Sequence, residues 1–542
     1  MKIYKILFIA TFAIIFSVKS FAQDWQWVSP GGGMNSDGAG VLCHDSNGNY
    51  YVGGTYHSDP AFFETDTLHL SGQNEMYVAK YNSVGQMQWI ISFGGNSTSI
   101  YEYDGMNYLF YRNQQGSLLI NGYFSGRMIL GNDTLYGSPS GFLAELDLNG
   151  NFTWVKEIDI SALCIDETGN IFTQHSYEQP NTIDTLQVNA GLWLAKFDPE
   201  GNLMWAKRKG NPNPNGPGME FAFIKMFERK GIITGYAYSI TDTLTIDTVT
   251  VYPYNYYQSI LASFDTTGNA LWIKPFAGTP EFPSFDFIQD KWGNNYITST
   301  FRNFTVFGND TIYSINNSVF DAFLCKFDSA GRVIWVQQLF CDSAISPMDL
   351  ELDENNGTLL SGSFKGNIVI NADTLNATGI VTYYFINYDS SGAVTFYHVN
   401  DEIGIYDCEV DSSGYLTACG TFVYTADFNG TSVLSKGMSD AFIARSSPLT
   451  AIEESTRQQN NQLVIYANPN QGRCKLEIPD EFVHERNLLL QIFDNNGRMI
   501  QQTQVIMNED KVRVNLEAEA KGIYNVTLSN KKKSYQGKIV FE

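Results

Sequence analysis

The sequence predicts an all-β protein: a seven-bladed β-propeller closed by its N-terminal strand and followed by a small C-terminal β-sandwich. A unit of short strands and glycine turns occurs seven times, at a long period typical of propellers. The 47 glycines and only 17% charged residues suit short strands and tight turns. Near the C-terminus the repeat is lost and a different strand pattern begins. The outermost strand of six copies carries one of the following residues, and Phe396 replaces it in another: Trp27, Trp89, Trp154, Trp205, Trp272 and Trp335.

The N-terminus has the features of a secretory signal peptide. Lys2 and Lys5 precede an apolar run over residues 6–18 that is too short to span a bilayer, and small residues follow it. We therefore expect residues 1–22 to be removed and the mature protein to begin near Gln23. No later segment is apolar for long enough to span a membrane, so we expect no transmembrane segment after signal removal.

The charge of the chain narrows the classes of partner. A formal net charge of −23 repels phosphate backbones and anionic lipid, so we expect no nucleic-acid partner. The same charge favours solubility and leaves divalent cations open. Six histidines form no metal-binding or catalytic motif, and no phosphate-binding glycine loop precedes a helix. We expect the seven scattered cysteines to be buried thiols.

Two series of turns separate the predicted strands. The first has the form Asp-x-x-Gly-Asn, as at Asp45 to Asn49 and Asp290 to Asn294, and places glycine where a hairpin needs positive φ. The second precedes the outer strand, as at Asp265 to Gly268. Apolar residues occur on both faces of the predicted strands. We expect this pattern in a propeller, because neighbouring blades cover both faces of each sheet.

The last copy lacks an outer strand, and the N-terminus contains one. Residues 24–32 resemble residues 87–95, which form an outer strand and its following loop in another copy. We therefore expect the N-terminal segment to pair with the strand over residues 440–445. Without this pairing the sheet would keep an exposed edge, which favours aggregation.

The repeat resembles the SBBP family of β-propeller repeats. Residues 45–54 and 321–331 match its two strand motifs best, and the resemblance covers about residues 24–445 of a propeller domain that we expect over residues 23–446. This family is defined by its repeat and not by an activity, so the resemblance implies a fold.

The C-terminal part of the chain has its own organisation. We expect a polar linker over residues 447–462 and a β-sandwich over residues 463–542. Four ordered motifs in the sandwich resemble the type A sorting domain of the type IX secretion system. This resemblance implies the secretion machinery as a partner, and a location outside the cell or on the outer surface of a Gram-negative bacterium. The motif residues are Tyr466, Asn468, Pro469, Gly472, Gly497, Gly522 and Tyr524.

Three carboxylates occupy equivalent positions of the inner strands. Asp286, Asp349 and Asp407 each lie four residues before the first turn of adjacent copies. Such residues line one channel, and three carboxylates could share a hard cation such as Ca²⁺. The alternative is that each carboxylate accepts hydrogen bonds from the backbone of its own blade, and no other cofactor is expected.

An Asp-Thr-Leu tripeptide recurs between the second and third strands of the copies. Asp followed by Thr favours a turn in an additional ribbon that lengthens the blade. The tripeptide also resembles the O-glycosylation acceptor motif of bacteria that use this secretion route. The candidate acceptors are Thr67, Thr134, Thr185, Thr243 and Thr374.

These features leave three functions open. We expect a secreted or surface binding and adhesion module, acting as a monomer on a glycan or protein, without enzymatic activity. One alternative is a polysaccharide hydrolase or lyase that uses the channel carboxylates. The other is a structural component of a surface coat. Aromatic and proline-rich loops over residues 210–218 and 252–257 are candidate sugar contacts.

Overall fold

The computed structural model describes most of the chain from Trp25 to Phe541. The described residues are 25–96, 105–112, 115–177, 179–210, 222–229, 232–239, 244–251, 258–277, 285–307, 310–315, 319–353, 355–370, 373–377, 379, 381–411, 413–428, 431–448, 463, 465–466, 471–478, 482, 488–494, 499–505, 511–530 and 534–541. The chain divides into two compact units, Met1–Pro448 and Leu449–Glu542. The described residues contain β-strands and no α-helix.

The first unit begins with a single strand and continues in repeats. The strands as far as the fourth repeat are β1 (Trp25–Gly32); β2 (Asp37–His44), β3 (Tyr50–Tyr56), β4 (Ala61–Phe63), β5 (Asp66–Leu68), β6 (Glu75–Tyr81) and β7 (Met87–Phe93); β8 (Gly105–Arg112), β9 (Ser117–Leu130), β10 (Asp133–Asp147) and β11 (Phe152–Glu157); β12 (Ala162–Ile165), β13 (Ile171–Tyr177), β14 (Asn181–Ile183), β15 (Leu186–Val188), β16 (Gly191–Phe197) and β17 (Leu203–Gly210); β18 (Ala222–Arg229), β19 (Ile232–Ser239), β20 (Leu244–Ile246), β21 (Val249–Val251), β22 (Gln258–Asp265) and β23 (Ala270–Ala277).

Three further repeats complete the first unit. Their strands are β24 (Phe285–Gln289), β25 (Asn295–Phe301), β26 (Phe304–Phe307), β27 (Asp310–Tyr313), β28 (Asp321–Phe327) and β29 (Val333–Cys341); β30 (Ala344–Leu352), β31 (Thr358–Lys365), β32 (Asn367–Ile370), β33 (Asp373–Asn376), β34 (Thr382–Tyr388) and β35 (Val394–Asn400); β36 (Ile403–Val410), β37 (Tyr415–Phe422), β38 (Thr425–Phe428), β39 (Thr431–Leu434) and β40 (Asp440–Pro448).

Each repeat contributes an antiparallel sheet. Within the described residues of the first unit, sheets 1 to 7 have the core orders β2-β3-β6-β7, β8-β9-β10-β11, β12-β13-β16-β17, β18-β19-β22-β23, β24-β25-β28-β29, β30-β31-β34-β35 and β36-β37-β40-β1. In sheet 7, β1 pairs with β40, with Val28 opposite Ala444 and Gly31 opposite Ala441. The N-terminal segment therefore supplies the outer strand that the seventh copy lacks.

The additional segment of each repeat is a two-stranded ribbon between the second and third core strands. Several ribbons pair with the outer strand of the preceding sheet: β4 with β1, β26 with β23, and β32 with β29. In repeat 2 the ribbon is continuous with the core strands β9 and β10. The ribbons thus connect consecutive sheets, which the tripeptide pattern alone does not indicate.

The apolar core lies mainly between consecutive sheets. One buried cluster joins Tyr51 and Met76 of sheet 1 to Phe142 of sheet 2, and another joins Ile443 of sheet 7 to Ala79 of sheet 1. Every residue of β25 and β28 is buried, because both faces of their sheet are covered. Buried apolar area is the main source of stability for such a fold.

The second unit contains two sheets around one core. Its strands are β41 (Ile465–Tyr466), β42 (Arg473–Glu477), β43 (Leu488–Phe493), β44 (Met499–Val505), β45 (Lys511–Asn515), β46 (Gly522–Ser529) and β47 (Ser534–Phe541). The sheet orders are β41-β42-β45 and β44-β43-β46-β47. Leu476, Leu490 and Val526 contribute to the shared apolar core.

Candidate functional site

The two ends of each core sheet differ in structure. The turns that connect the first strand to the second and the third to the fourth lie at one end, which we call the turn end. The ribbon between the second and third strands lies at the opposite end, which we call the ribbon end. This assignment follows from the antiparallel strand orders.

The turn end is formed by carboxylates that bind their own backbone. Asp45 Oδ1 accepts the N–H groups of Asn47 and Asn49 at 2.9 Å, and Asn49 Nδ2 donates to Oδ2 at 2.8 Å. Gly48 adopts a φ of 76°, as the turn requires. Burial acts to raise the pKa of Asp45, but the hydrogen bonds outweigh it and lower this pKa. These carboxylates therefore serve the turns.

The outer-strand tryptophans contact the turns of the next sheet. Trp89 Nε1 donates to Leu148 O at 3.1 Å, and Trp335 Nε1 donates to Ser390 O at 3.2 Å. Six second-series turn glycines lie against such a ring, and an added Cβ on Gly85 would be 2.4 Å from Trp27 Cδ2. The tryptophans that mark the repeat in the sequence therefore form contacts between consecutive sheets. The glycines in question are Gly85, Gly150, Gly201, Gly268, Gly331 and Gly392.

The three inner-strand aspartates accept hydrogen bonds from neighbouring sheets. Asp286 Oδ2 accepts Leu350 N at 2.9 Å, and Asp349 Oδ2 accepts Cys408 N at 3.0 Å. Asp407 accepts Leu42 N at 2.6 Å, which links sheet 7 to sheet 1. Each of these bonds crosses to the next sheet. Asp286 Oδ1 also accepts Phe287 N of its own strand at 2.7 Å, as in the alternative in which each aspartate binds the backbone of its own blade.

The described residues contain no group of three or more histidine, cysteine, aspartate or glutamate side chains that could hold a metal ion. The oxygen chemistry of Asp286, Asp349 and Asp407 suits Ca²⁺. Their carboxylate oxygen atoms accept hydrogen bonds from the next sheet. Ca²⁺ binding by these residues stays a prediction. None of the seven cysteines forms a disulfide, and all are buried.

One histidine joins the same pair of inner strands as Asp407. His44 Nδ1 lies 2.6 Å from Glu409 Oε2, across the contact between sheets 1 and 7. The hydrogen bond to Glu409 raises the pKa of His44, although burial acts in the opposite direction. Protonation of His44 therefore strengthens this contact.

A carboxylate at the ribbon turn connects neighbouring strands in several repeats, through contacts that the sequence did not reveal. Asp184 contacts Lys156 of the preceding outer strand at 2.9 Å. Asp247 accepts Lys209 Nζ at 2.8 Å and the Ala270 N–H of its own outer strand at 2.8 Å. Both aspartates have positive φ, at 53° and 52°. Their common signal is an acid at the first turn position, which is detectable only after the ribbons are aligned.

The Asp-Thr-Leu tripeptides do not share one structural position. Asp66 begins the second ribbon strand, whereas Asp184 lies in the ribbon turn itself. Thr67, Thr134, Thr185 and Thr374 are exposed. Thr243 lies outside the described residues, and so do almost all of the candidate sugar-binding loops over residues 210–218 and 252–257.

Exposed apolar side chains gather at the ribbon end around the N-terminal strand. We call Met34, Phe62, Tyr424, Leu434 and Met438 the ribbon-end patch; their exposed fractions range from 41% for Phe62 to 82% for Met34. Three contacts hold its segments together. Lys436 Nζ lies 5.4 Å from the centre of the Phe62 ring, and Ser435 N donates to Tyr424 O at 2.7 Å. Gly437 lies directly against the backbone of Met34, since an added Cβ would be only 2.2 Å from Met34 O.

Tyr424 adopts an unusual backbone conformation at the entry to its ribbon. Its φ is 52°, in the left-handed region. The equivalent residues of two other repeats are Asn303 and Gly366, whose φ angles are 66° and 76°. In all three, the carbonyl oxygen accepts an N–H from the exit of the ribbon, at 2.7 to 2.9 Å. Asn and Gly tolerate this conformation, whereas a bulky aromatic residue is an outlier there.

The sorting-motif residues fall partly within the described residues. Tyr466 ends β41, Gly472 has a φ of 90° before β42, and Gly522 begins β46. Tyr524 is buried, and its hydroxyl group donates to Ala520 O. Asn468, Pro469 and Gly497 lie outside the described residues.

The chain is thus an all-β protein of propeller-like fold with a separate C-terminal sandwich. Residues 464–542 match the family described as the secretion system C-terminal sorting domain. The protein is therefore exported, through the type IX secretion system, to the cell surface or the medium, and its sorting domain engages the secretion machinery. No curated protein matches the chain. The described residues contain no helix that is long and apolar enough to cross a membrane.

The solved structures that resemble the chain are distant. The Dos1 propeller is 8% identical with a TM-score of 0.40, over 78% of this chain and 95% of that chain. A DUF4221 family member from Bacteroides vulgatus is 10% identical with a TM-score of 0.29, over 62% and 91% of the two chains. Trypanosoma rangeli sialidase is 8% identical with a TM-score of 0.32, over 93% and 84%.

Proposed function

We propose that this exported protein is a monomeric, non-enzymatic binding protein whose ribbon-end patch contacts a carbohydrate outside the cell. Tyr424 is the observation that supports this function best. The residue is 78% exposed, so burial does not compensate for the left-handed backbone. A tyrosine at such a position is explained if the ring itself contacts a ligand. Exposed aromatic rings offer flat apolar faces with a polar edge, which suit the apolar face of a sugar ring.

The surroundings of Tyr424 fit this role. Leu434 is 72% exposed and lies opposite Thr425, the residue that follows Tyr424. The ammonium group of Lys436 donates to the carbonyl oxygens of Gly32 and Phe62 at 3.3 and 3.2 Å, which fixes the segment beside the ring. The ribbon strands and the contacts of Lys436 therefore hold the patch in place before a ligand binds, and this reduces the entropic cost of binding.

We also propose that the seven sheets form a closed propeller of the SBBP type over residues 23–446, with a linker at 447–462. Support comes from contacts that recur between sheets. The pair Trp27 and Gly85 joins sheet 7 to sheet 1 as Trp89 and Gly150 join sheet 1 to sheet 2. Asp286 accepts a backbone hydrogen bond between sheets 5 and 6, and Asp407 accepts the equivalent bond between sheets 7 and 1.

A glycan array with the full mature chain and a Tyr424→Gly variant tests the proposed function. Loss of the ring should weaken binding to any bound glycan by about fivefold or more, because an aromatic contact contributes about 1 kcal/mol. The same substitution should leave the thermal midpoint unchanged or raise it, since glycine adopts the left-handed conformation without strain. Tyr313→Ala, which removes an exposed ring from another ribbon, is the matched control and should bind normally.

Three outcomes would contradict the proposal. Equal binding by wild type and Tyr424→Gly would remove the ribbon-end patch from the site. Release of smaller sugars from a bound glycan would overturn the non-enzymatic assignment and favour the hydrolase or lyase alternative. If the chain binds no glycan yet promotes cell attachment, the structural coat function is favoured instead.

A further inference from the structure

Two buried carboxyl groups meet where the chain passes from β1 into β2. Asp37 is 2% exposed and Asp440 is 1% exposed. An added Cβ on Gly32, the last residue of β1, would lie 2.7 Å from Asp440 Oδ1 and 2.9 Å from Asp37 Oδ2. Both oxygen atoms therefore flank the same backbone position. Two ionised carboxylates at such a place would repel each other strongly, because the interior screens charge weakly.

The two carboxyl groups have unequal hydrogen-bond partners. Asp37 Oδ1 accepts the N–H groups of His57 and Ser58 at 2.8 and 3.1 Å. Asp37 Oδ2 accepts Gly33 N at 2.7 Å and Ser58 Oγ at 2.6 Å. Four donors on one group are the environment of an ionised carboxylate.

Asp440 lacks this saturation. Its Oδ2 accepts Lys436 N at 3.0 Å. Its Oδ1 has no hydrogen-bond partner among the described residues. A buried acceptor without a donor is costly, whereas a protonated carboxyl oxygen at the same place would itself be a donor.

Sheet 5 shows what occupies this position when a single carboxylate is present. Asp321 is the first residue of β28, as Asp440 is the first residue of β40. Asp321 Oδ1 accepts Cys341 N at 2.9 Å, and its Oδ2 accepts Ile315 N and Gln338 Nε2, both at 2.8 Å. Every oxygen of Asp321 therefore has a donor.

The missing donor of Asp440 can be identified from the strand register. Cys341 lies two residues beyond Leu339, which pairs with Ala322 of β28. The equivalent residue in sheet 7 is Gly33, two residues beyond Gly31, which pairs with Ala441 of β40. The Gly33 N–H donates to Asp37 instead. A second carboxylate has thus taken the donor that the repeat supplies elsewhere.

We propose that Asp440 is protonated in the folded protein and donates its proton to the Asp37 carboxylate, which fastens β1 to sheets 7 and 1. Folding at neutral pH then takes up one proton from water and forms one O–H···O⁻ hydrogen bond. Such charge-assisted bonds are short and strong. This proton-sharing pair is a site that the proposed carbohydrate binding does not involve.

The other charged groups near the pair do not remove the need for this proton. The Lys436 ammonium group donates to two carbonyl oxygens, and the His57 ring binds Ser36 O through Nδ1 at 2.9 Å. Burial raises the pKa of Asp440, and the charge of Asp37 raises it further. The Lys436 backbone, the Lys436 charge and the Ser435 hydroxyl group lower it, but less.

The sign of the pH dependence follows from this direction. An unfolded aspartate has a pKa of about 3.9. The folded pKa of Asp440 is higher, so its contribution to stability is complete below pH 4 and decreases as the pH rises towards the folded pKa. Within this window the equilibrium constant for opening rises by up to about tenfold per pH unit.

Hydrogen exchange of the full chain tests the pair with Asp440→Asn, in which an amide N–H replaces the carboxyl O–H. Asp321→Asn is the matched control, because its amide group would face three N–H donors. At pH 8 we expect Asp440→Asn to exchange the amides of β1 as slowly as wild type or more slowly, and to lose the pH dependence. Asp321→Asn should accelerate exchange in β29, and Asp37→Asn should accelerate it in β1.

Comparison of the variants at each pH cancels the intrinsic exchange rates. The proposal is overturned if Asp440→Asn accelerates exchange in β1 at pH 8 as much as Asp321→Asn does in β29. It is also overturned if β1 in the wild type shows the same opening constant from pH 5 to pH 8. Failure of Tyr424→Gly to affect glycan binding would leave both of these outcomes unchanged.

Discussion

The contact between Trp27 and Gly85 allows the seam between the first and last sheets to be tested with a matched pair of substitutions. Gly48 and Gly85 occupy the same position in two turns of sheet 1, with φ angles of 76° and 80°. An added Cβ on Gly48 would lie 3.6 Å from Ser83 Cβ, an ordinary contact. On Gly85 the same atom would lie 2.4 Å from Trp27 Cδ2, so the ring or the turn must move.

The two alanine variants should therefore differ in stability. Both place alanine in the left-handed region, which costs about 1–2 kcal/mol. Gly85→Ala should lose roughly 1–3 kcal/mol more, the usual cost of overpacking a filled contact. Urea unfolding of the full chain, followed by circular dichroism, measures both losses. In a Trp27→Ala background the additional cost should disappear, because the ring that causes the clash is absent.

This prediction has a clear point of failure. If Gly48→Ala and Gly85→Ala shift the unfolding midpoint equally, Trp27 does not press on the turn of sheet 1. If the additional cost of Gly85→Ala persists without the Trp27 ring, the loss comes from the turn alone. Either result would refute the argument that the N-terminal strand joins sheet 7 to sheet 1 through this contact.

Three further predictions concern charge, metal and export. The pKa of His44 is raised in the folded protein, so the contribution of the His44–Glu409 pair to stability is complete below about pH 6.5 and is lost as the pH rises through the folded pKa. Glu409→Gln should therefore lower the thermal unfolding midpoint more at pH 6 than at pH 9. Asp286→Ala should lower the free energy of unfolding by about 1–3 kcal/mol, because Leu350 N loses this acceptor. The unfolding midpoint of the wild type should not change with EDTA. A Ca²⁺-dependent midpoint or calorimetric Ca²⁺ binding would support the cation site instead. A chain ending at Gln462 should remain in the periplasm, and its display at the surface, detected by antibody labelling, would contradict the role of the sorting domain.

Local signals in the sequence predicted the strands and turns well. Trp89 and the five equivalent tryptophans marked the outer strands because each ring lies against a turn glycine of the next sheet. Gly48 marked a hairpin because its φ is positive. The pairing of β1 with β40 was predictable because two segments of the chain resemble each other closely.

The register of the ribbons and the hydrogen bonds between sheets were harder to predict from the sequence. The tripeptides at Asp66 and Asp184 are alike, yet they differ in register by two residues, because three letters do not fix a turn. Asp349 and Asp407 follow irregularities in strand register, and such bulges change the direction of a side chain without a sequence signal. Their equivalence was visible from the sequence, but their bonds to the next sheet were not.

The Tyr424 position illustrates the same limit at the candidate site. Its left-handed backbone became apparent only by comparison with Asn303 and Gly366, which occupy the same step in other repeats. The sequence directed attention to loops rich in proline and tyrosine. An aromatic residue at a position that favours glycine carries information only when the backbone is known.

The pairing of Trp25 with Ser446 has a consequence for how the protein presents itself. Both chain ends of the first unit leave sheet 7 at its turn end, since β1 runs from there and β40 returns to it. Trp25 and Pro448 therefore lie at the end of sheet 7 that is opposite to Tyr424 and its ribbon. A label fused ahead of Trp25 would therefore join the first unit at the turn end and leave the ribbon-end patch uncovered.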